Sequence, residues 1–388
     1  MASGQRSYLD HNATSALRPE AAEVVLRALQ MPGNASSAHA EGRAARALVE
    51  AAREAVAALV GAQPKNVTFT SGGTEAANTV LSPGFRRVGE AGPSILLVGA
   101  AEHPCVLDGH RFERAERIPV DGNGVVDLAW LQVRLESAVG ETVLVSIQAA
   151  NSETGVIQPV HEAAQLVHAY RGLIHTDAVQ AAGKVPLDMA KLGVDAMTLS
   201  AHKFGGPKGA GAVVLASDRL EIASRLLRGG GQERGNRAGT ENVAAAAGLG
   251  AAAKAVQARL GEEADRMGAL RAHAEAALRR IAPEAVVFGG AAERLPNTFA
   301  FAVPGLRAET ALIAFDLGGV ALSSGSACSS GKVKRSHVLD AMGVEPGLAE
   351  GALRVSLGWN STEEDVFRFA ETCETVVASL YKRRASAA

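Results

Sequence analysis

A lysine stands where a strand is expected to end. Lys203 lies in the stretch Ser-Ala-His-Lys-Phe-Gly-Gly-Pro-Lys-Gly at residues 200–209, directly after residues 195–199, whose apolar run is typical of a short buried strand. A primary amine can form a Schiff base with an aldehyde, so a lysine beside a hydroxyl and an imidazole suits covalent chemistry. A surface lysine in a glycine turn is the more frequent case for a single lysine. The other strand ends must therefore decide between the two interpretations.

Residues 71–74, Ser-Gly-Gly-Thr, lie where the predicted strand 67–70 runs into a helix. Backbone N–H groups are free at the start of a helix, and glycines let an anion come close to them. The stretch therefore predicts a phosphate-binding turn, although it is neither a Walker loop nor a dinucleotide fingerprint. The signal is weak by itself, because many such turns bind nothing.

Further polar side chains follow other predicted strands. They are Asp177 after the strand 173–176, Asn151 and Glu153 after the strand 142–147, and His103 after the strand 95–98. Ligands of open parallel sheets bind at the carboxyl ends of the strands, so these side chains are candidates for one site. Asp177 alone would fit a helix N-cap equally well, and most of the 10 histidines are expected to be surface or capping residues.

Together the strand ends supply a phosphate-binding turn, a carboxylate, an amide, an imidazole and an amine. Pyridoxal phosphate requires this combination: N–H donors for its phosphate, a carboxylate that keeps its pyridine nitrogen protonated, and a lysine for its aldehyde. Lys203 would serve first as the anchor and then as the proton shuttle. Lys208 is a poorer anchor, because it lies beyond the Gly-Gly-Pro turn at 205–207. The sequence therefore predicts an enzyme that uses pyridoxal phosphate.

The composition excludes several other classes. The chain has 388 residues, 47% of them hydrophobic, and 39 basic against 41 acidic residues, so we expect neither nucleic acid nor a membrane surface as a partner. Three widely spaced cysteines argue against a disulfide framework and against an intrinsic metal site. Residues 1–10 contain no apolar run that would indicate a secretory signal. We therefore expect a cytoplasmic enzyme.

Strands alternate with helices through the first part of the chain. The strand candidates are residues 67–70, 95–98, 142–147, 173–176, 196–199 and 211–215, and helical patterns lie at 42–60, 127–137, 161–171 and 219–227. This alternation predicts a mostly parallel mixed sheet that is covered by helices on both faces.

The composition changes after residue 240. Residues 241–281 predict one or two long helices, and the rest predicts an α+β segment. Its predicted strands are 286–288, 298–301 and 353–356, and its predicted helices are 308–317 and 362–383. We therefore predict a large cofactor-binding domain of residues 15–255 and a smaller α+β domain formed by residues 1–14 and 256–388.

Six motifs in unbroken order resemble those of the NifS/IscS cysteine desulfurases, a group of the class V aminotransferase family with the fold type I architecture of pyridoxal-phosphate transferases. They are Tyr8-Leu9-Asp10 with Ala13-Thr14, Thr70-Ser71-Gly72-Gly73-Thr74-Glu75, Asn151-Ser152-Glu153-Thr154-Gly155, His175-Thr176-Asp177, Ser200-Ala201-His202-Lys203, and Ser323-Ser324-Gly325-Ser326-Ala327-Cys328. The resemblance implies a homodimer that removes sulfur from L-cysteine.

The resemblance also implies roles for individual residues. Lys203 should bind the cofactor's aldehyde, His103 should stack on its pyridine ring, and Asp177 should pair with the ring nitrogen. Gln180 should reach the phenolic oxygen, and Asn151 should also approach the ring. The residues expected to hold the phosphate are Gly73, Thr74, Ser200 and His202, joined by Thr240 from the partner subunit. The substrate's carboxylate should bind Arg354, assisted by Asn34, because an arginine fork holds a carboxylate bidentately.

Cys328 lies in a loop of mostly serine, glycine and alanine at 323–331, which is weakly anchored and able to swing. The basic run at 332–335 favours its thiolate, whereas Cys105 and Cys373 fit a structural interpretation better. A small buried residue in a turn is the alternative for Cys328 as well. In the family that this loop resembles, the cysteine takes up sulfur as a persulfide and passes it to an acceptor. Iron–sulfur cluster assembly is the expected use, with Cys328 as a transient cluster ligand beside a scaffold protein.

Three competing functions remain open at this point. A selenocysteine lyase or a class V aminotransferase could use the same scaffold, and an aminotransferase would not need Cys328. The third is a non-catalytic scaffold that binds sulfur-transfer proteins, which would not need Lys203, Asp177 or the phosphate turn.

Overall fold

The computed structural model describes residues 6–138, 140–324 and 335–387. Its strands are β1 (Ser7–Tyr8), β2 (Val67–Thr70), β3 (Phe85–Arg87), β4 (Ile95–Gly99), β5 (Ala115–Ile118), β6 (Val143–Ser146), β7 (Leu173–Asp177), β8 (Ala196–Ser200), β9 (Gly211–Leu215), β10 (Leu220–Ile222), β11 (Val286–Phe288), β12 (Thr298–Ala302), β13 (Val320–Ala321), β14 (Ser323–Ser324) and β15 (Leu353–Ser356). Its helices are α1 (Pro19–Gln30), α2 (Ala40–Leu59), α3 (Gly73–Val80), α4 (Pro104–Leu107), α5 (Leu128–Ser137), α6 (Val160–Ala169), α7 (Met189–Leu192), α8 (Val243–Ile281), α9 (Ala308–Leu317), α10 (His337–Ala341), α11 (Pro346–Ala349) and α12 (Glu363–Ala387).

The large sheet has the strand order β2-β9-β8-β7-β6-β4-β5. The neighbours from β8 to β5 pair in parallel, whereas β9 pairs antiparallel with both β8 and β2. Side chains of β4 alternate between two hydrophobic clusters: Ile95 and Leu97 pack in one, and Leu96 and Val98 pack in the other. Both faces of the sheet are therefore covered, which explains the continuous apolar runs of its strands and confirms the predicted mixed sheet.

The helix predicted at residues 219–227 is wrong. Leu220–Ile222 form the strand β10, which pairs antiparallel with β3. Leu220 and Ile222 are buried, whereas Glu221 forms an ion pair with Arg86 of the neighbouring strand. This alternation has the period of a strand, and the segment is too short for a helical stripe to outweigh it.

A second, antiparallel sheet has the order β11-β12-β15-β14. Its apolar side chains pack with those of α9 and α12 in a separate hydrophobic cluster, in which Phe369 contacts the rings of Phe299, Phe301 and Phe315. Leu9 belongs to the same cluster, and β1 pairs with β13. The N-terminal strand therefore packs with the antiparallel sheet, and the division of the chain into two domains stays a prediction.

α8 is one continuous helix of 39 residues. Its first part, with Leu249 and Val256, packs in the cluster beneath the large sheet, and its later part, with Met267 and Leu270, packs in the second cluster. α8 continues without interruption through the predicted domain boundary between residues 255 and 256. This boundary and the one between residues 14 and 15 stay predictions.

Within the described ranges, no helix is both long and apolar enough to span a membrane. The same residues contain no group of three or more histidine, cysteine, aspartate or glutamate side chains arranged to hold a metal ion.

Candidate active site

The carboxyl ends of five strands meet at one edge of the large sheet. β4, β6, β7 and β8 are parallel, and β2 runs in the same direction because two antiparallel pairings through β9 separate it from β8. The candidates that follow these ends are residues 71–74 after β2, His103 after β4, Asn151 after β6, Asp177 at the end of β7 and Lys203 after β8. The topology therefore places every candidate that the sequence identified at a strand end along one edge.

Residues 71–74 form an open recess with Ser200, His202 and Lys208, which we call the cup. α3 begins at Gly73, so the N–H groups of its first turn have no partner within the helix. A cavity of about 350 Å³ opens there, lined by Ala13, Thr14, residues 71–75, Ser200, His202, Lys208 and Gly209. Beneath it, a Cβ on Gly211 would lie 2.5 Å from the carbonyl carbon of Gly72, so β9 must carry a glycine at this point.

The side chains of the cup suit an anion. Burial, together with the positive charges of Lys203, Lys208 and Lys184, lowers the pKa of His202 to about 4, so its imidazole is neutral at physiological pH. Glu75 at the rim forms an ion pair of 3.0 Å with Arg237. Among the described residues that line the cavity, Lys208 is the one lysine or arginine. A phosphate bound there would meet hydroxyls, backbone N–H groups and a single ammonium group.

A second group of polar side chains, which we call the floor, consists of the buried Asp177, Gln180 and Lys184 and the half-buried Lys203. Lys203 ends a 3-10 turn directly after β8, and its Nζ donates hydrogen bonds to the carbonyl oxygens of Asn12 at 2.5 Å and Ala13 at 3.0 Å. Burial lowers the pKa of this amine to about 8, and the positive charge of Arg354 acts in the same direction. A substantial unprotonated fraction is therefore present near neutral pH, and this is the form that attacks an aldehyde.

Asp177 is 8% exposed and accepts a hydrogen bond of 2.9 Å from the N–H of Val179. Burial raises the pKa of its carboxyl group to about 6, although that hydrogen bond and the positive charge of Lys203 lower it. A buried carboxylate gains most from a cationic partner, and a protonated ring nitrogen is such a partner. The position fits the role that the resemblance implies.

The amides of Gln180 and Asn151 are both held by the chain itself. Gln180 donates from Nε2 to the carbonyl oxygen of Asn12 at 3.0 Å, and its Oε1 accepts from Nζ of Lys184 at 2.9 Å. Asn151 donates to the carbonyl oxygen of Ala101 at 3.0 Å and accepts from the N–H groups of the loop that follows it. Their predicted contacts with a cofactor ring stay predictions.

His103 is the N-cap of α4, where its Nδ1 accepts a hydrogen bond of 3.1 Å from the N–H of Cys105. Burial lowers the pKa of His103 to about 4, and the positive charges of Lys203 and His337 add to the effect. The ring is therefore neutral at physiological pH, as stacking on a protonated pyridine ring requires. The thiol of Cys105 lies beside Thr74, and burial raises its pKa, so this cysteine is not a nucleophile.

Arg18 fixes the turn that carries Lys203. Its backbone N–H and its Nε donate to the carbonyl oxygens of Gly205 at 2.8 Å and Phe204 at 3.0 Å. Its two terminal nitrogens bind both oxygens of Glu263 on α8 at 2.8 and 2.5 Å, and its guanidinium lies over the ring of Trp359. A buried, bidentate arginine therefore ties the turn to both hydrophobic clusters.

Arg354 and Asn34, the predicted substrate contacts, differ in their surroundings. Arg354 is 2% exposed and donates to Asp10 at 2.7 Å and to the carbonyl oxygen of Ser152 at 3.0 Å, while its buried Nε has no partner among the described residues. Asn34 is exposed and accepts from the N–H of Ser36. Arg354 is thus held rigidly beside the floor, and the substrate roles of both residues stay predictions.

The structure does not place two of the predicted residues, Cys328 and Thr240, in the site, for different reasons. Cys328 lies outside the described residues, as do Lys332 and Lys334. Thr240 is exposed and does not line the cup of its own chain. Its predicted role requires a second subunit and stays a prediction.

Sequence patterns did not identify three residues of the site: Asn12, Arg18 and Lys184. Asn12 acts through a backbone carbonyl, which every residue possesses, so its type carries no signal. Arg18 reaches a partner 245 positions away, which no local pattern reveals. Lys184 lies four positions after Gln180. From this spacing, which brings two side chains together on a helical turn, their contact could have been predicted.

The residues present fit pyridoxal phosphate. The cup offers donors and a positive charge to the phosphate group, Asp177 offers a buried carboxylate to the ring nitrogen, and Lys203 offers an amine of lowered pKa to the aldehyde. Each of the three groups stands at the end of a different strand, so all three lie along the same edge of the large sheet.

Comparisons with known proteins agree with this arrangement. The class V aminotransferase family matches residues 7–369. A cysteine desulfurase from Cereibacter sphaeroides is 41% identical over 387 residues, covering 97% of each protein. The cysteine desulfurase IscS of Dictyoglomus turgidum is 37% identical over 379 residues, covering 96% of this chain and 95% of that protein.

The solved structure of a NifS-like protein from Rickettsia africae is similar to this chain with a TM-score of 0.87 and 33% identity, covering 96% of this chain and 100% of that chain. This likeness confirms the predicted fold type I architecture. The chain belongs to the class V aminotransferase family and, within it, to the cysteine desulfurases, which use pyridoxal phosphate.

Proposed function

We propose that this protein takes the sulfur atom of L-cysteine, releases L-alanine, and holds the sulfur as a persulfide on Cys328. The observation that carries the proposal is the meeting of Lys203 and Asp177 in the floor, directly beside a cup suited to phosphate. When bound, pyridoxal phosphate supplies an electron sink for the substrate carbon. The chain's own residues must then bind the substrate, move its protons and remove its sulfur.

Lys203 is the residue suited to proton transfer. Its pKa of about 8 lies near the working pH, so one amine can take a proton at the substrate's Cα and return a proton at Cβ. Asp177 keeps a proton on the ring nitrogen through its carboxylate, and the neutral ring of His103 is available to stack on the cofactor's ring. Arg354 supports the substrate's carboxylate from a fixed position beside Asp10.

Cys328 takes the sulfur by direct displacement. Its thiolate attacks Sγ of the substrate, the Cβ–Sγ bond breaks, and the electron pair of that bond stays with the carbon, which then gains a proton. The products are L-alanine and a Cys328 persulfide, and no external oxidant or reductant is required. A sulfur acceptor must afterwards receive the terminal sulfur, and we propose that iron–sulfur cluster assembly is its destination, with a scaffold protein as the acceptor.

Two substitutions test this function. L-alanine release from L-cysteine is measured for the parent protein, Lys203→Ala and Cys328→Ala. Cys328→Ala should keep the bound cofactor but lose persulfide formation, detected as a mass increase of one sulfur on the peptide that contains residue 328. Full activity in Lys203→Ala would sink the mechanism, and full cysteine turnover in Cys328→Ala would favour an aminotransferase.

The proposal extends to the assembly and its location. We propose a homodimer in which Thr240 of one subunit completes the cup of the other, supported by the exposure of Thr240. Mixing Lys203→Ala with Thr240→Ala chains tests this, because in a mixed dimer one site combines an intact Lys203 with an intact Thr240. Activity above that of either variant is expected. We also propose a cytoplasmic location, which fits the free thiols of Cys105 and Cys373.

A further inference from the structure

Lys184 is a buried lysine to which the mechanism above gives no role. It is 4% exposed, and its Nζ donates to the carbonyl oxygen and to Oε1 of Gln180, both at 2.9 Å. In the part of the chain that the structure describes, it forms no ion pair with a carboxylate. Burying a lysine amine without a carboxylate partner is costly, so the retention of Lys184 in the floor needs an explanation.

The positive charge of Lys184 acts on the groups around it. Burial lowers its own pKa well below the ordinary value, and Lys203 and Arg354 lower it further. Lys184 in turn contributes to the lowered pKa values of His11 and His202.

The hydrogen bonds give Lys184 a geometric role. The carbonyl oxygen of Asn12 can only accept hydrogen bonds, so the atom of Gln180 that faces it must be the amide nitrogen. The amide oxygen therefore faces Lys184, and the same carbonyl oxygen of Asn12 also accepts from the Lys203 amine. An amide nitrogen carries two hydrogens, and the contact with Asn12 uses one.

We propose that Lys184 is a positioning residue, which anchors Gln180 so that its amide N–H group faces Lys203 and the phenolic oxygen of the cofactor. The anchor is double, because Lys184 holds both the main-chain and the side-chain oxygen of the same residue. This inference deepens the proposed function and rests on the proposed role of Gln180.

A double-mutant cycle on the apoenzyme tests the proposal. The dissociation constant of pyridoxal phosphate is measured for the parent, Lys184→Met, Gln180→Leu and the double variant, each first confirmed as folded by circular dichroism. Lys184→Met is expected to weaken binding about tenfold, the usual effect of losing one hydrogen bond, because Gln180 loses its anchor. In the double variant the two effects should not add, because Lys184 acts through Gln180.

An NMR titration of the histidines in the apoenzyme supplies a second readout. The pKa of His202 should rise in Lys184→Met, because Lys184 contributes to lowering it. Lys191→Met is the matched control: its side chain is 85% exposed on α7, and both the pKa of His202 and the dissociation constant should stay unchanged. If Lys184→Met does not fold, Lys184→Gln, which keeps one donor, replaces it in the cycle.

Unchanged cofactor binding in a folded Lys184 variant would overturn the proposal. Strictly additive effects of the two substitutions would do the same, because Lys184 would then act independently of Gln180. Neither measurement involves turnover, so failure of this inference is distinct from failure of the proposed desulfurase activity, which alanine release decides.

Discussion

The cup and the floor differ in how their polar groups are satisfied. In the floor, Lys203, Gln180 and Lys184 all hydrogen-bond to one another or to main-chain carbonyls. The cup is open, and Lys208 at its rim is exposed. An anion can therefore enter the cup without breaking an internal contact, whereas the amine of Lys203 must leave the carbonyl of Asn12 before it can react.

This difference separates residues that determine the affinity for the cofactor from residues that determine the rate of the reaction. Contacts in the cup are made by a group that takes no part in the reaction, so their loss should lower cofactor affinity. Lys203 and Asp177 of the floor act on the reacting atoms, so their loss should lower the rate. The following substitutions test the separation, from the largest expected effect to the smallest.

Lys203→Ala removes the only amine expected to react with the aldehyde. Alanine release from cysteine should fall by about a thousandfold or more, because both the anchor and the proton shuttle are lost. Phosphate contacts in the cup remain, so the variant should still bind pyridoxal phosphate without a covalent link. Lys191→Ala, at an exposed position, should match the parent in both measurements.

Asp177→Asn should lower alanine release by about a hundredfold, since a neutral amide cannot keep a proton on the ring nitrogen. The same change should stabilise the apoenzyme at high pH. The pKa of the Asp177 carboxyl group is raised from 3.8 to about 6 in the folded protein, so ionisation destabilises the fold as the pH rises through this window. Two pKa units correspond to about 3 kcal/mol, which is the largest gain expected above pH 6.

Urea unfolding of both apoenzymes at pH 5 and pH 8 checks the sign. The stability difference in favour of Asp177→Asn should be larger at pH 8 than at pH 5. A difference of equal size at the two pH values would mean that burial does not raise the pKa of the Asp177 carboxyl group.

Thr74→Ala in the cup should weaken pyridoxal phosphate about tenfold, which is the usual effect of losing one hydrogen bond to a charged group. Pyridoxal, which lacks the phosphate group, should bind the variant and the parent equally. Saturating cofactor should restore most of the turnover rate. An equal loss with both ligands would place Thr74 outside the phosphate contact.

Lys208→Met should have the smallest effect, about threefold on the dissociation constant of pyridoxal phosphate, because an exposed charge is screened by solvent and salt. The effect should disappear at high ionic strength. In the NMR titration of the apoenzyme, the pKa of His202 should rise, since Lys208 contributes to lowering it. A loss that salt does not change would contradict an electrostatic contact.

Local patterns predicted the parts of the site that follow directly from a strand. Asp177 and Lys203 could be identified because each comes next to a buried apolar run at the carboxyl edge of a parallel sheet. The paired contacts could not be identified. Arg18 and Glu263, or Asn12 and Ser356, lie hundreds of positions apart, and only the folded topology determines that they meet.

The secondary-structure prediction failed where the spacing of apolar residues fits both a helix and a strand and the segment is short. Residues 219–227 contain enough apolar positions for a helix, but the pairing of β10 with β3 selects the strand alternation of Leu220 and Ile222. Tertiary pairing overrides local preference in short segments, because few residues contribute to that preference.

The hydrogen bonds that hold Asn12 in place determine when, during synthesis of the chain, the site can form. The carbonyl of Asn12, which holds the amine of Lys203, is itself held in place by a hydrogen bond from the N–H of Asn12 to Oγ of Ser356 at 2.9 Å and by side-chain bonds to Thr298 and Asn297. Synthesis proceeds from the N-terminus, so Lys203 leaves the ribosome well before these partners exist. The large sheet can fold during translation, but the catalytic centre is completed only when nearly the whole chain has emerged. A chain that stops before residue 356 would therefore fold much of its sheet and still lack a working site.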